Sequence, residues 1–134
     1  PRIGVLGVGC KRGISAETLA EAFAAFCAQN RLAPQCITAA ASIDLKQNEA
    51  GLLTFCKSYS WPVQFFTAEQ LRAAPGSFTP SAFVQSVTGV DNVCERSAVL
   101  AAGGTLVFHK YAHTGVTFAL AVRPYAPDWR WQNV

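Results

Sequence analysis

The sequence predicts an α/β protein: a three-layer α/β/α sandwich around a mixed, mostly parallel sheet of about five strands. Short apolar runs alternate with segments of helical periodicity, Gly or Pro separates them, and two strand-like runs close the chain. This alternation is typical of a sheet with helices on both faces. The 134 residues have the length of one domain, 1–134, and 51% hydrophobic against 14% charged residues exclude a disordered chain.

The first strand and helix flank a glycine-rich turn. Residues 3–8 form a short apolar run ending among glycines, which predicts a buried strand. Ser15 is a favoured N-cap residue, and a helix follows over 16–29. Pro34 separates this helix from a second strand of small residues over 36–43. The helix has an apolar stripe at helical spacing, formed by Leu19, Ala22, Phe23 and Phe26.

The middle of the chain repeats the pattern of helix and strand. A helix is predicted over 49–59, where Leu52, Leu53 and Cys56 fall on one side. Pro62 then precedes a third strand, over 63–66. The sequence therefore places a second helix between two strands.

The last part of the chain predicts two more helices and a hairpin. Thr67 and Gln70 have the spacing of a capping box for a short helix through residue 74. A longer helix begins at Val90 or Asp91 and ends at residue 102, before two glycines. Strands over 105–109 and 116–122 are joined by six residues, which suits a hairpin.

Composition narrows the classes of function. The net charge of +3 is too small to indicate nucleic acid, and no apolar run reaches the roughly 20 residues of a membrane span. No signal peptide is visible, so a cytoplasmic protein is expected. The five cysteines are odd in number and never form C-x-x-C, which favours reduced thiols over disulfides or zinc. His109 and His113 are predicted in a strand and a loop without a third ligand, so neither a metal site nor a cofactor is expected.

Open α/β sheets bind ligands beyond the carboxyl ends of their strands, so the candidate segments are residues 7–13, 42–49, 66–67 and 109–110. The first of these segments carries the sharpest motif, GVGCKRG. Its glycines bring backbone N–H groups close to a ligand, and its cations and the following helix start attract an anion. The alternative is a tight turn with solvated basic residues. The predicted ligand-binding residues of this motif are Gly7, Gly9, Cys10, Lys11 and Arg12.

Cys10 in that motif stands beside two cations and near a helix start, which lowers the pKa of a thiol. A nucleophilic cysteine needs a base, and the sequence assigns none. We therefore expect Cys10 to position the backbone or pack rather than to form a covalent intermediate.

The second segment is ASIDLKQNE. Asp44 and Glu49 are the candidate acid/base residues, and Ser42 and Lys46 are candidate ligand contacts. The alternative is a solvated turn in which Asp44 caps a helix.

Two further positions complete the candidate site. Gly89 lies in a turn before a helix, which predicts either a second anion site or a plain helix cap. Lys110, predicted at a strand end, is expected to pair with an acidic ligand.

Several motifs carry a resemblance to a known family: GVGCKRG at 7–13 with SAE at 15–17, ASIDLK at 41–46 with EAGL at 49–52, FFTAEQL at 65–71, and VCE at 93–95 after Gly89. Together they resemble the family of CobE and the C-terminal domain of CbiG, from cobalamin biosynthesis. The resemblance implies that the ligand is a precorrin, a corrin-ring precursor rich in carboxylates. Other enzymes of the same pathway would be its protein partners.

The resemblance leaves two classes of activity open. The larger CbiG proteins carry an additional N-terminal domain and are associated with opening the lactone of cobalt-precorrin-5A. This chain is similar to the stand-alone CobE form, so both a hydrolase using Asp44 or Glu49 and a non-catalytic carrier of an intermediate are expected functions. A phosphate- or nucleotide-binding module, using the same glycine-rich loop, is the third alternative.

Overall fold

The computed structural model describes residues 4–10, 12–74, 93–113 and 115–123, and its centre is a five-stranded sheet. The strands are β1 (Gly4–Cys10), β2 (Ile37–Ile43), β3 (Val63–Phe66), β4 (Thr105–His113) and β5 (Val116–Val122). The helices are α1 (Ala16–Asn30), α2 (Ala50–Ser58), α3 (Ala68–Arg72) and α4 (Val93–Ala102), and short 3-10 turns span Pro34–Cys36 and Asp44–Lys46.

The sheet is mixed, in the order β3-β2-β1-β5-β4. β1 pairs in parallel with β2, and β2 with β3, whereas β5 is antiparallel to both β1 and β4. Four of the five strands therefore point the same way, which confirms the predicted mixed, mostly parallel sheet. Because β1, β2 and β3 are parallel, their carboxyl ends meet at one edge of the sheet.

Helices cover both faces of the sheet, which confirms the three-layer arrangement. One core lies between the sheet and helices α1 and α2, where Phe23, Phe26, Phe55 and Phe118 pack edge to face or tilted. The other core lies under α3 and α4, with Val5, Ala41 and Ala121 of the sheet facing the helices. The alternation of side chains along each strand sends neighbouring residues to opposite cores.

Gly7 sets how closely α4 approaches the sheet. A Cβ atom at this position would lie 1.7 Å from the carbonyl oxygen of Cys94 and 2.9 Å from the Cβ of Ala98. Only a residue without a side chain allows the helix backbone to rest directly on β1. Gly7 is therefore a packing glycine inside the strand.

Local capping follows the sequence closely. Ser15 accepts a hydrogen bond from the N–H of Thr18 at the start of α1. Thr67 and Gln70 form both bonds of a capping box at the start of α3. The predicted apolar stripe of α1 is buried in the core, and it consists of Leu19, Ala22, Phe23 and Phe26. These signals act between residues three or four apart, so they can be recognised without knowledge of the tertiary fold.

Three predicted features of the elements are wrong. β1 runs through Cys10, two residues beyond its predicted end, so Gly9 and Cys10 lie within the strand rather than in a turn after it. On α2, Leu53 is 40% exposed, and Phe55 takes the buried position instead. β4 continues to His113, so two residues and not six separate it from β5.

The longer β4 has a physical explanation in two β-bulges. Its register against β5 shifts between Leu106 and Phe108, and again between Phe108 and Tyr111. Each bulge adds a residue and interrupts the period of two that identifies a strand in sequence. Predictions for residues 75–92 and 124–134, including Gly89 and the start of α4 at Val90 or Asp91, fall outside the described residues, as does Lys11.

Candidate binding site

Two of the predicted site segments lie next to each other at the carboxyl edge of the sheet. β1 ends at Cys10 and β2 ends at Ile43, and the two strands are parallel neighbours. The 3-10 turn Asp44–Lys46 follows β2 and leads to α2, whereas residues 12–15 lead from β1 to α1. The fold thus brings the glycine-rich loop and the segment that carries Asp44, Lys46 and Glu49 to one edge.

Glu49 joins these two segments directly. Its carboxylate oxygen Oε2 accepts a hydrogen bond from the backbone N–H of Gly13, at 2.9 Å. Gly51 allows the approach, because a Cβ atom there would lie 2.0 Å from the carbonyl oxygen of Ile14. Gly13 itself has a φ of 77°, which favours glycine. The side chain of Glu49 therefore holds the basic loop against the start of α2.

Asp44 is placed differently from Glu49. It is the first residue of its 3-10 turn, half-buried, and the turn has no side-chain cap hydrogen bond. Among the described residues, its carboxylate has no hydrogen-bond or ion-pair partner. Asp44 thus does not cap the turn with its side chain, and its carboxylate remains available to a ligand or a water molecule.

The thiol of Cys10 is protonated in this environment. Burial raises the pKa of Cys10 to about 11, and the charge of Glu49 adds to this while Lys46 opposes it. The expectation that nearby cations lower this pKa is wrong, because desolvation of the thiolate outweighs the attraction of one ammonium group. A thiol of this kind is a poor nucleophile, which agrees with a role in packing or positioning.

Ser42 and Gly9 make contacts that hold the strands together. Ser42 is fully buried, and its hydroxyl donates to the carbonyl oxygen of Val8 at 2.7 Å. The hydroxyl of Thr117 in β5 donates to the carbonyl oxygen of Gly9 at 3.4 Å. A Cβ atom on Gly9 would lie 2.5 Å from the hydroxyl oxygen of Thr117. Contact of Ser42, Gly7 or Gly9 with a ligand stays a prediction.

Two of the candidate cations lie at this edge, and a third does not. Arg12 is exposed in the glycine-rich loop, and Lys46 is half-buried close to Cys10. Lys110 is not at a strand end, as predicted, but inside β4 at the second bulge. The described residues contain no group of three or more metal-ligating side chains, and His109 and His113 both belong to β4.

The sequence reasoning assigned no role to Glu95, a buried carboxylate in the first turn of α4. Glu95 is fully buried, and its Oε2 accepts the backbone N–H of Lys110 at 2.5 Å. The same oxygen lies 3.6 Å from Nδ1 of His109. The sequence contains a signal for it, since Glu95 is the one charged residue among the buried positions of α4, which include Cys94, Ala98 and Val99.

An apolar groove lies between α2 and β3 and includes Leu53, Lys57 and Phe65 in its lining. Lys57 is in the last turn of α2, at the end opposite to Glu49. None of the candidate site residues lines the groove.

The open sheet, with its parallel strands ending at one edge and helices on both faces, defines an α/β protein of the class that binds small molecules at that edge. Residues 4–121 match the protein family described as cobalamin synthesis G C-terminus. The chain belongs to this family of cobalamin biosynthesis proteins, as the sequence motifs predict.

Curated relatives support the same assignment. The chain is 34% identical over 122 residues to a cobalt-precorrin-5A hydrolase of Salmonella typhimurium, covering 91% of this chain and 35% of that protein. It is 31% identical over 120 residues to protein CobE of a Sinorhizobium species, covering 87% of this chain and 78% of that one. The chain thus spans about a third of the length of the hydrolase and most of the length of CobE.

Solved structures share the fold. The crystal structure of CobE, a protein of the cobalamin biosynthetic pathway, superposes with a TM-score of 0.82 at 31% identity and covers 91% of each chain. The cobalamin biosynthesis protein chiG from Agrobacterium tumefaciens gives a TM-score of 0.70 at 27% identity, covering 90% of this chain and 98% of that one.

Proposed function

We propose that this protein binds a corrin-ring intermediate of cobalamin biosynthesis at the carboxyl edge of its sheet. The observation that carries the proposal is the hydrogen bond from Gly13 to Glu49, which holds the basic loop beside the segment of Lys46. Corrin precursors carry acetate and propionate groups around the ring, and these carboxylates match the cations of the edge. Charge-assisted hydrogen bonds from Arg12 and Lys46 would orient the ring by its rim.

A non-catalytic carrier is the form of this function that we favour. The buried, protonated Cys10 supplies no nucleophile, and Glu49 is committed to the loop, so the described edge contains no nucleophile and base pair. A carrier needs only cations and an apolar surface to hold an unstable intermediate until the next enzyme takes it. We propose that enzyme as the protein partner and the cytoplasm as the location.

One observation favours a second candidate, a hydrolase acting on a precorrin lactone. The half-buried carboxylate of Asp44 has no partner among the described residues, so it can accept a proton from a water molecule that attacks a lactone carbonyl. The hydroxyl of the water would then form the new acid, and the ring oxygen would leave as the alcohol after receiving a proton. The related Salmonella typhimurium protein is named for hydrolysis of cobalt-precorrin-5A.

The binding proposal is tested by titrating the purified protein with a series of corrin precursors and following the visible spectrum of the ligand. We expect Lys46→Ala and Arg12→Ala each to weaken binding about tenfold at low salt, the size of one charge-assisted hydrogen bond. Lys57→Ala, which removes an equal charge from the opposite end of α2, is the matched control and should bind normally. Unchanged affinity in both site variants would show that this edge does not bind the ligand. Displacement of a corrinoid by nucleotides would favour the nucleotide-binding alternative.

A further inference from the structure

We propose that the site has a second cationic position, Lys110, which the buried carboxylate of Glu95 holds in place. In this arrangement the protein recognises carboxylates on two separate sides of one ring-shaped ligand. The inference rests on the proposed function and deepens it by naming the class of ligand. Two separated cations favour wide polycarboxylates with acid groups around their rim over compounds with acid groups on one side only.

The bulge in β4 is the structural basis for the role of Glu95. Phe108 and Tyr111 both pack towards the core of α1, although two residues separate them instead of one. The extra residue frees the backbone N–H of Lys110 from the ladder with β5, and Glu95 Oε2 accepts it at 2.5 Å. Glu95 therefore fixes the backbone from which the side chain of Lys110 extends, as bulges commonly do when they redirect a side chain.

Glu95, which accepts the backbone N–H of Lys110, belongs to the first turn of α4, and the carbonyl oxygen of Cys94 in the same turn lies against Gly7 of β1. The charge of Lys110 acts on Cys94, where it opposes the rise of the thiol pKa to about 12 that burial causes. Cys94 and Thr117 interact through their side chains, and Thr117 in turn donates to the carbonyl oxygen of Gly9. The first turn of α4 thus connects the backbone of Lys110 to β1, on the face of the sheet that α4 covers.

Lys46 lies on the other side of the same strand end. It acts on Cys10, which packs against the core of α1 and α2. β2, which leads to Lys46, and β4, which carries Lys110, are three strands apart, a separation of about 14 Å. Because β1 and β5 lie between these two strands, we expect that one carboxylate does not contact both ammonium groups, whereas a ring with acids on opposite sides can.

Two metal-free porphyrins test this arrangement by fluorescence titration at low salt. Uroporphyrin carries acetate and propionate groups around its whole rim, and deuteroporphyrin carries its propionates on one side only. We expect Lys46→Ala and Lys110→Ala each to weaken uroporphyrin binding about tenfold. Deuteroporphyrin should bind the parent protein more weakly than uroporphyrin does. Each single variant should lower the affinity for deuteroporphyrin less than it lowers the affinity for uroporphyrin.

The positioning role of Glu95 is tested by a double-mutant cycle. Glu95→Gln keeps the size of the side chain but replaces the carboxylate with a neutral and weaker acceptor, so it should loosen the hold on the bulge. Far-UV circular dichroism and thermal unfolding should still show a folded protein. If Glu95 acts through Lys110, Glu95→Gln weakens uroporphyrin binding in the parent protein but adds little in Lys110→Ala. A purely structural Glu95 would lower affinity equally in the Lys110→Ala and Lys46→Ala backgrounds.

The outcomes separate the inference from the proposed function. Uroporphyrin affinity that falls in Lys46→Ala but not in Lys110→Ala would overturn the second cationic position and leave binding at the edge intact. Equal effects of Glu95→Gln in all backgrounds would overturn the positioning role. Affinity for both porphyrins and for corrin precursors that is unchanged in every variant would overturn the proposed function together with the inference.

Discussion

At the scale of single residues, burial and commitment to hydrogen bonds decide which polar groups remain available for chemistry. Asp44 and Glu49 are five residues apart and equally suited to acid/base work by residue type. The structure separates them, because Glu49 holds the N–H of Gly13 and Asp44 has no partner among the described residues. Cys10 is likewise removed from nucleophilic chemistry by burial. A sequence motif specifies the residue types of a site, whereas solvation and contacts specify their roles.

Asp44→Asn separates the two candidate activities. Asparagine keeps the size and much of the hydrogen bonding of Asp44 but cannot accept the proton of an attacking water. If the protein hydrolyses a lactone, the variant should bind the precursor normally and lose turnover by about 10²–10⁴. For a carrier we expect no turnover by the parent protein and at most a change in affinity. Conversion of a precorrin by the parent alone, measured by mass spectrometry and lost in Asp44→Asn, would contradict the carrier.

Cys10→Ser should leave binding and any turnover largely intact. The thiol of Cys10 is half-buried and protonated at neutral pH, because desolvation raises its pKa to about 11, so no step depends on its thiolate. Ligand titration and intact-protein mass spectrometry measure the effect. A covalent adduct on Cys10, or activity abolished in a folded Cys10→Ser protein, would show that the assignment is wrong.

At the scale of elements, the packing of α4 on β1 is the contact that most depends on one residue. Gly7 has no alternative, since the backbone carbonyl of Cys94 occupies the space of a side chain. Bulges act at the same scale in β4, where they set the position of Lys110. They also interrupt the alternation of side chains, so the sequence predicts only the first five residues of the strand. Both features arise from contacts between elements far apart in sequence.

Gly7→Ala should destabilise the protein by about 3 kcal/mol, near the upper end for overpacking, because backbone rather than a flexible side chain must move. Denaturant unfolding followed by circular dichroism measures the loss. Ala98→Gly in the same background should restore little of it, since this change relieves the contact at 2.9 Å and not the one at 1.7 Å. A Gly7→Ala protein with the parental midpoint would show that α4 moves away at no cost.

At the scale of the whole molecule, the sequence predicts the layers, the strand directions and the caps, because each depends on local periodicity. It also predicts that residues 7–13 and 42–49 meet, since parallel strands end at one edge. It does not predict the buried position of Glu95 or the exposure of Leu53 on α2. These depend on which helix face meets which strand, and short helices with several apolar residues leave that choice open.

The buried thiols predict a loss of stability at alkaline pH. Burial raises the pKa of Cys10 and Cys27 to about 11 and that of Cys56 and Cys94 to about 12, whereas a thiol in the unfolded chain has a pKa near 9. The unfolded state therefore releases protons first, so the contribution to stability is complete below pH 9 and decreases as the pH rises towards 11 or 12.

Melting temperatures between pH 8 and 11 test this prediction. Cys10→Ser should reduce the slope, because one of the four contributing thiols is removed. Cys36→Ser, at an exposed cysteine, is the matched control and should keep the parental slope. A melting temperature that stays constant over this range would contradict the prediction.

The two bulges of β4 have a consequence for the behaviour of the protein at high concentration. β4 is an edge strand of nine residues, long enough to pair with an extended segment of another chain. Its interrupted register gives it a bent outline, and a bent edge is a poor template for the addition of a further strand. Within the part of the chain that the structure describes, the same irregularity that directs Lys110 to its position therefore disfavours pairing of β4 with another chain.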